Sequence, residues 1–172
     1  MKPIRLAFMA LAMMGLGGCT DTHVPKGEPS FYRNLTQPGA ELDATAAASM
    51  ISGYRANNGL PAVTLDPELM QLAQTQAEVM AKRDKLDHGA GKPFVQRLKA
   101  SGYDAKTAAE NISAGYHTLA EAFSGWRDSS PHRANMLLAG ATRMGIAAVY
   151  TPASKYKVYW ALILAEPDVR NG

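Results

Sequence analysis

Residues 118–137 read TLAEAFSGWRDSSPHRANML, and the fold turns on how they are read. Thr118 and Glu121 have the S/T-x-x-E spacing of a capping box. In that motif the threonine hydroxyl accepts from the third backbone N–H, and the glutamate reaches back to the N–H of the cap. Leu119, Ala122, Phe123 and Trp126 follow at i, i+3, i+4 and i+7, which is one apolar face of a helix. Proline pushes the residue before it out of the helical region, so Ser129-Ser130-Pro131 is expected to end that helix. His132 comes next, expected on a loop whose place is set by a buried Trp126, at the rim of a cleft.

Working outward, the chain changes period. After Gly140, Met144, Ile146, Ala148 and Tyr150 alternate with Gly145, Ala147 and Val149. Beyond a turn at Pro152-Ala153-Ser154, Val158, Trp160, Leu162 and Leu164 alternate with Tyr159, Ala161, Ile163 and Ala165. Both sets are apolar, so this hairpin belongs in a sheet covered on two sides. Toward the N-terminus, Asp66-Pro67 is a helix cap followed by a first-turn proline, and Leu69, Leu72, Ala73, Ala77 and Met80 form a buried stripe. An earlier helix shows the face Leu42, Ala46, Ser49, Met50, Gly53 and Tyr54 and stops at Asn58-Gly59. A short helix over 93–100 turns Phe94 and Leu98 inward, and 109–116 reads as a short strand entering from a loop. Helices on both sides of apolar strands predict an α+β, three-layer α-β-α sandwich with a mainly antiparallel sheet.

The 172 residues suit one domain, and 47% hydrophobic with 19% charged residues describe a globular chain. Without Lys2 and Arg5, which lie in a segment expected to be removed, the eighteen basic residues become sixteen against fifteen acidic ones. That balance carries no electrostatic footprint for nucleic acid. Lys2 and Arg5 precede an apolar run, Leu6 to Leu16, too short to span a bilayer, so residues 1–18 read as a signal peptide. Leu16-Gly17-Gly18-Cys19 resembles a bacterial lipobox, and Cys19 has no second cysteine to pair with. The resemblance implies acylation of Cys19 and a membrane anchor. Thr20 after the cysteine leans toward the outer membrane. Residues 19–39, with Pro25, Gly27, Pro29, Pro38 and Gly39, are expected to form a tether, on which Phe31, Tyr32 and Leu35 are free to pack against a domain over 40–172.

Three polar groups stand at expected breaks in regular structure: His88 after the second helix, Glu110 before a strand, and His132. Two imidazoles and a carboxylate are a metal-ligand set, although the chain has no H-E-x-x-H, no C-x-x-C and no Gly-rich phosphate loop. From spacing alone, surface or hydrogen-bonding roles are the commoner explanation.

The phrases YRANNGLPAVTLDPELMQLAQTQAEVMAKRDKLDHG, AAENISAGY, AFSGWRDSSPHRANML and MGIAAVY…YKVYWALILAEP occur in that order over roughly residues 46–166. Together they resemble the CAP superfamily, the SCP-domain family of cysteine-rich secretory, antigen-5 and pathogenesis-related proteins, in its bacterial branch. The resemblance implies a cleft with two histidines and two acids. His88, Glu110 and His132 match three of them; the fourth position carries Ser129. The expected ligand-binding cleft is therefore His88, Glu110, Ser129 and His132, with His88, Glu110 and His132 as the metal-ligand set. One carboxylate fewer weakens divalent-metal binding and removes paired acids for general acid–base work. Together with the lipobox, the resemblance gives an expected lipid-anchored protein of the bacterial cell envelope, facing the periplasm or exterior. It is expected to bind a small lipid, a metal or a protein partner, with no required cofactor and zinc as the optional metal. The alternative is a hydrolase, metal-assisted or using Ser129 or Ser130 beside His132; no residue is assigned as catalytic.

Overall fold

Eight consecutive residues of the last strand, Val158 to Ala165, are buried, which is possible only where both faces and both edges of a strand are covered. The computed structural model describes residues 27–89 and 91–168, so the signal segment 1–18 and Cys19 lie outside the described residues. In it β1 is Thr64–Leu65, β2 Ala105–Ala114, β3 Arg143–Tyr150 and β4 Val158–Pro167. The sheet order is β1-β3-β4-β2; β4 pairs antiparallel with both neighbours, and β1 adds parallel to β3. The sheet is thus mixed, with antiparallel pairing dominant.

The alternation along β4 builds two cores. Val158, Trp160, Leu162 and Leu164 face one side with Met144 and Ile146, against helices α1 (Ala44–Ala56), α4 (Leu119–Asp128) and α5 (Ser130–Met136). Tyr159, Ala161, Ile163 and Ala165 face the other, against α2 (Pro67–Arg83) and α3 (Phe94–Ser101). This is the expected three-layer sandwich. Both predicted caps form: Asp66 Oδ1 accepts from the N–H groups of Glu68 and Leu69, and Thr118 and Glu121 complete the capping box. Trp126 is 1% exposed and meets Trp160 edge-on at 6.4 Å.

Four local readings change. Ser129 is extended as expected, but Pro131 then opens α5 instead of leading into a loop, because a first-turn proline loses an N–H that had no partner anyway. His132 therefore sits on a helix. Glu110 lies inside β2, opposite Ile163, because the strand starts at Ala105. Its first half is exposed and shows no alternation; pairing with the end of β4 and a 2.9 Å Lys106–Glu166 ion pair support it instead. In α1 the buried stripe is Ala47, Ile51 and Arg55, while Ser49 and Gly53 are exposed. Finally, packing begins within the expected tether. Ser30–Tyr32 form a 3-10 turn, Ser30 Oγ donates to Asp43 Oδ2 at 2.7 Å, and Leu35, 5% exposed, donates its N–H to the His117 carbonyl at 2.8 Å.

On the α2 side the helix sits very close to the sheet. A Cβ at Gly145 would lie 2.1 Å from the Leu69 carbonyl carbon, so α2 packs backbone to backbone on β3 there. A Cβ at Gly53, on the exposed side of α1, would meet nothing within 4 Å. Gly145→Ala is therefore expected to destabilise the protein by about 1–3 kcal/mol or more, the scale of overpacking a rigid core. Gly53→Ala is expected to stabilise it by about 0.5–1 kcal/mol through helix propensity. Urea denaturation of the two variants checks both; equal effects would mean that α2 has room to shift.

Candidate functional site

His88 is delivered by a loop with little freedom. α2 ends at Asp84 in a left-handed conformation (φ 49°), and the Lys85 N–H returns to the Met80 carbonyl at 3.1 Å. Asp84 Oδ1 accepts from the Lys155 N–H at 2.9 Å and from the Tyr159 hydroxyl, tying the turn to the β3–β4 connection. Burial, together with the Asp84 carboxylate it donates to, pushes the Tyr159 phenol up to about 12, so it remains a donor. Gln76, buried on α2, donates to the Asp87 carbonyl at 2.9 Å. Asp87 Oδ1 accepts from the Gly89 N–H at 2.8 Å, and that bond holds its carboxyl below the usual range.

Glu110 rises from the middle of β2 with its side chain 1% exposed. Both carboxylate oxygens are engaged. Oε1 is 2.9 Å from His88 Nδ1, and Oε2 accepts from Arg97 Nη2 at 2.6 Å. Arg97, on α3, is itself held by Nε donating to the Lys92 carbonyl at 3.0 Å, with its guanidinium 5.5 Å above the Phe94 ring. A carboxylate only accepts, so His88 Nδ1 carries the hydrogen. Nε2 is then the free lone pair, on a side chain 55% exposed.

His132 reaches the same region from the other layer. Asn111, next to Glu110 but pointing to the opposite face of the sheet, donates to the His132 carbonyl at 2.8 Å. Asn135, one helical turn after His132, donates to the Glu110 carbonyl at 3.1 Å and to Asn111 Oδ1 at 2.9 Å. α5 is thereby stitched to the strand that carries Glu110. Partial burial lowers the His132 pKa, and the neighbouring His88 lowers it further. The far end of α5 rests on Arg55, whose side chain is fully buried. Nε donates to the Pro61 carbonyl at 2.9 Å, Nη1 to those of Met136 and Leu138 at 2.9 Å each, and Nη2 to that of Ala141 at 2.8 Å.

The structure thus joins His88 directly to Glu110 and brings His132 within electrostatic reach of His88. Ser129 stands apart: half-buried between α4 and α5, it lines an open hollow with Tyr116, Glu121, Ser124, Gly125 and Asp128, a lining that includes none of the other three. Among the described residues, no group of three or more His, Cys, Asp or Glu side chains is arranged to hold a metal ion. Glu110 is also already engaged, by a guanidinium on one carboxylate oxygen and an imidazole on the other, so a metal there would meet the Arg97 charge; the residues present do not fit a three-ligand metal centre.

Arg97, Asn111, Asn135 and Arg55 all escape sequence reasoning. Asn111 leaves a trace, since asparagine is unfavourable within a strand unless its side chain finds partners there. Arg97, between inward-facing Phe94 and Leu98, leaves none.

The three-layer sandwich is the one the CAP resemblance implies; of the two histidines and two acids it implies for the cleft, His88 and Glu110 are in direct contact and Ser129 stands in place of the second acid. Residues 48–164 match the CAP family, described as the cysteine-rich secretory protein family, and the chain belongs to it. It is 31% identical over 119 residues to YkwD of Bacillus subtilis (strain 168), itself described as uncharacterized, covering 61% of this chain and 46% of that one. The chain thus spans under half the length of that relative. Among solved structures it resembles an extracellular protein containing an SCP domain from Bacillus anthracis str. Ames (TM-score 0.62, 20% identity, 71% of this chain and 39% of that one). It also resembles an outer surface protein from Borrelia burgdorferi (TM-score 0.65, 16% identity, 74% of this chain and 98% of that one). At these identities the likeness shows the shared fold.

The lowered His132 pKa gives stability a pH dependence. The unfolded chain binds the proton first, near the ordinary histidine value of 6.5, so the His132 contribution is complete above that pH. It is lost as pH falls through the lower folded value. Between about pH 7.5 and about pH 5.5, which bracket the ordinary value, the urea midpoint should fall further in the wild type than in His132→Asn. An equal fall in both would place the imidazole in solvent.

Proposed function

We propose that this protein is an extracytoplasmic, lipid-anchored CAP module that binds a ligand and performs no chemistry on it. One observation carries the reading. Among the described residues, neither His88 nor His132 is hydrogen-bonded to a hydroxyl, so no side-chain nucleophile stands activated beside an imidazole. Ser130 Oγ instead accepts from Arg133 Nη2 at 3.3 Å, and Ser129 lies in its separate hollow. A lipid ligand has a place to go. A half-enclosed hollow of about 340 Å³ lies between residues 40–44, α2 and β3, lined mainly by apolar side chains including Leu35, Leu42, Met70 and Ile146. Its size is at the small end for ligand pockets.

The membrane side of the proposal rests on the sequence around Cys19 and on the surface and extracellular proteins that share the fold. Among the described residues no helix is long and apolar enough to cross a membrane. Cys19→Ser is expected to block processing and leave the precursor in the inner membrane. Cleavage after Gly18 with release of soluble protein would instead mean an ordinary secretory signal.

A hydrolytic reading keeps one observation in its favour: Glu110 orients His88 so that an exposed Nε2 lone pair could act as a general base. Mass spectrometry of the purified protein, native and after solvent extraction, separates the two. A stoichiometric small molecule is the expected result. Turnover of a peptide or ester substrate that is lost in His88→Ala or His132→Ala would replace binding with catalysis.

A further inference from the structure

Besides its imidazoles the cleft contains a cation, and it is a permanent one. Arg97 lies on α3, a short helix that packs Phe94 and Leu98 onto the second core, and its side chain is only 10% exposed. It approaches Glu110 Oε2 to 2.6 Å, closer than His88 approaches Oε1. Its Nε is spent on the Lys92 carbonyl, and among the described residues its buried Nη1 has no hydrogen-bond partner. Glu110 is therefore the carboxylate that neutralises this guanidinium.

We infer that Arg97 occupies the place a divalent cation would take at Glu110, so that this cleft withholds its carboxylate from metals. A metal on Oε2 would either sit against the positive charge of Arg97 or displace the guanidinium and leave a buried cation unpaired, and both are costly. Without Glu110 the donors that remain are His88 Nε2 and an imidazole nitrogen of His132. Two imidazoles fall short of the three or four protein ligands that zinc centres use. Glu110 then works behind His88, fixing its ring and its tautomer, in the manner of a carboxylate that supports a histidine without touching what the histidine binds. This property belongs to the same cleft as the proposed binding function but is independent of it, because it is read by zinc titration and the ligand by its own mass after extraction.

The test uses the full chain and zinc chloride alone. Calorimetric titration should find Arg97→Met binding zinc at least about tenfold more tightly than the wild type, the scale on which shell contacts tune metal affinity. The gain should disappear in Arg97→Met/Glu110→Gln. No gain in Arg97→Met, or a gain that survives loss of the carboxylate, overturns the inference. Should Arg97→Met fail to fold, wild-type crystals grown with zinc chloride decide the matter. The expected map keeps the Arg97–Glu110 pair intact, with no Glu110 oxygen among the metal's neighbours. A Glu110 oxygen at about 2.0–2.2 Å from zinc overturns it.

Discussion

A guanidinium buried among carbonyl oxygens, with no carboxylate hydrogen-bonded to it among the described residues, holds the first layer of this fold together. Arg55 is fully enclosed, and its four hydrogen bonds run to the loop after α1, to the last turn of α5 and to the segment that enters β3. Burial lowers its pKa, yet arginine starts so high that the charge survives. One acceptor, on Met136, is in the last residue of α5, where free carbonyls collect and a helix favours positive charge, and another, on Leu138, lies just past it. Removing the guanidinium would strand several buried acceptors at about 1–3 kcal/mol each. α5 has only seven residues and could not hold its own place. Arg55 fixes its end, Asn111 and Asn135 fix its side, and His132 is positioned as the result.

The second layer solves the opposite problem, an anion in the interior. Glu110 sits in a strand paired on β4, and its carboxylate is satisfied by one partner from the α2–α3 loop and another from α3. Buried ion pairs return little net stability, because desolvation consumes the attraction. What such a pair supplies is geometry. Glu110 can be buried only when both His88 and Arg97 arrive, so the loop over 84–89 and α3 are constrained together. The backbone of the same residue accepts from Asn135 on the other face. One strand position thus couples the two layers across the sheet.

Much of this is legible in the sequence, for identifiable reasons. The period-two alternation over 144–164 announces a strand pair covered on both sides, and the structure has it. The capping box at Thr118 and the buried Trp126 depend on local spacing, which survives folding. The departures share a cause: local pattern assigns a polar, charged or helix-breaking residue to solvent or to a loop. Arg55 falls outside the stripe that spacing gives α1, yet it is buried, and the true stripe shifts with it. Lys106 and Thr107 hide the first half of β2. Pro131 reads as a stop, although proline is equally at home in the first turn of a new helix. Partners brought in from distant segments decide the polar cases, and no local pattern encodes them. Arg97 is the clearest example, since its partner Glu110 is thirteen residues away on another element.

The charge within the cleft follows from these placements. A cleft with two acids would carry negative charge and draw cations. Here Ser129 stands at the position where the resemblance expects the second acid, and it faces a different hollow. The remaining acid is cancelled by an arginine, and burial beside His88 favours the uncharged form of His132. The carboxylate and the guanidinium cancel, with the exposed His88 imidazole held in one orientation. Such a site has little electrostatic pull on either metal ions or anions. Recognition there has to come from shape, from hydrogen bonds to the two rings, and from apolar contact. That is the chemistry on which the proposed binding function would draw.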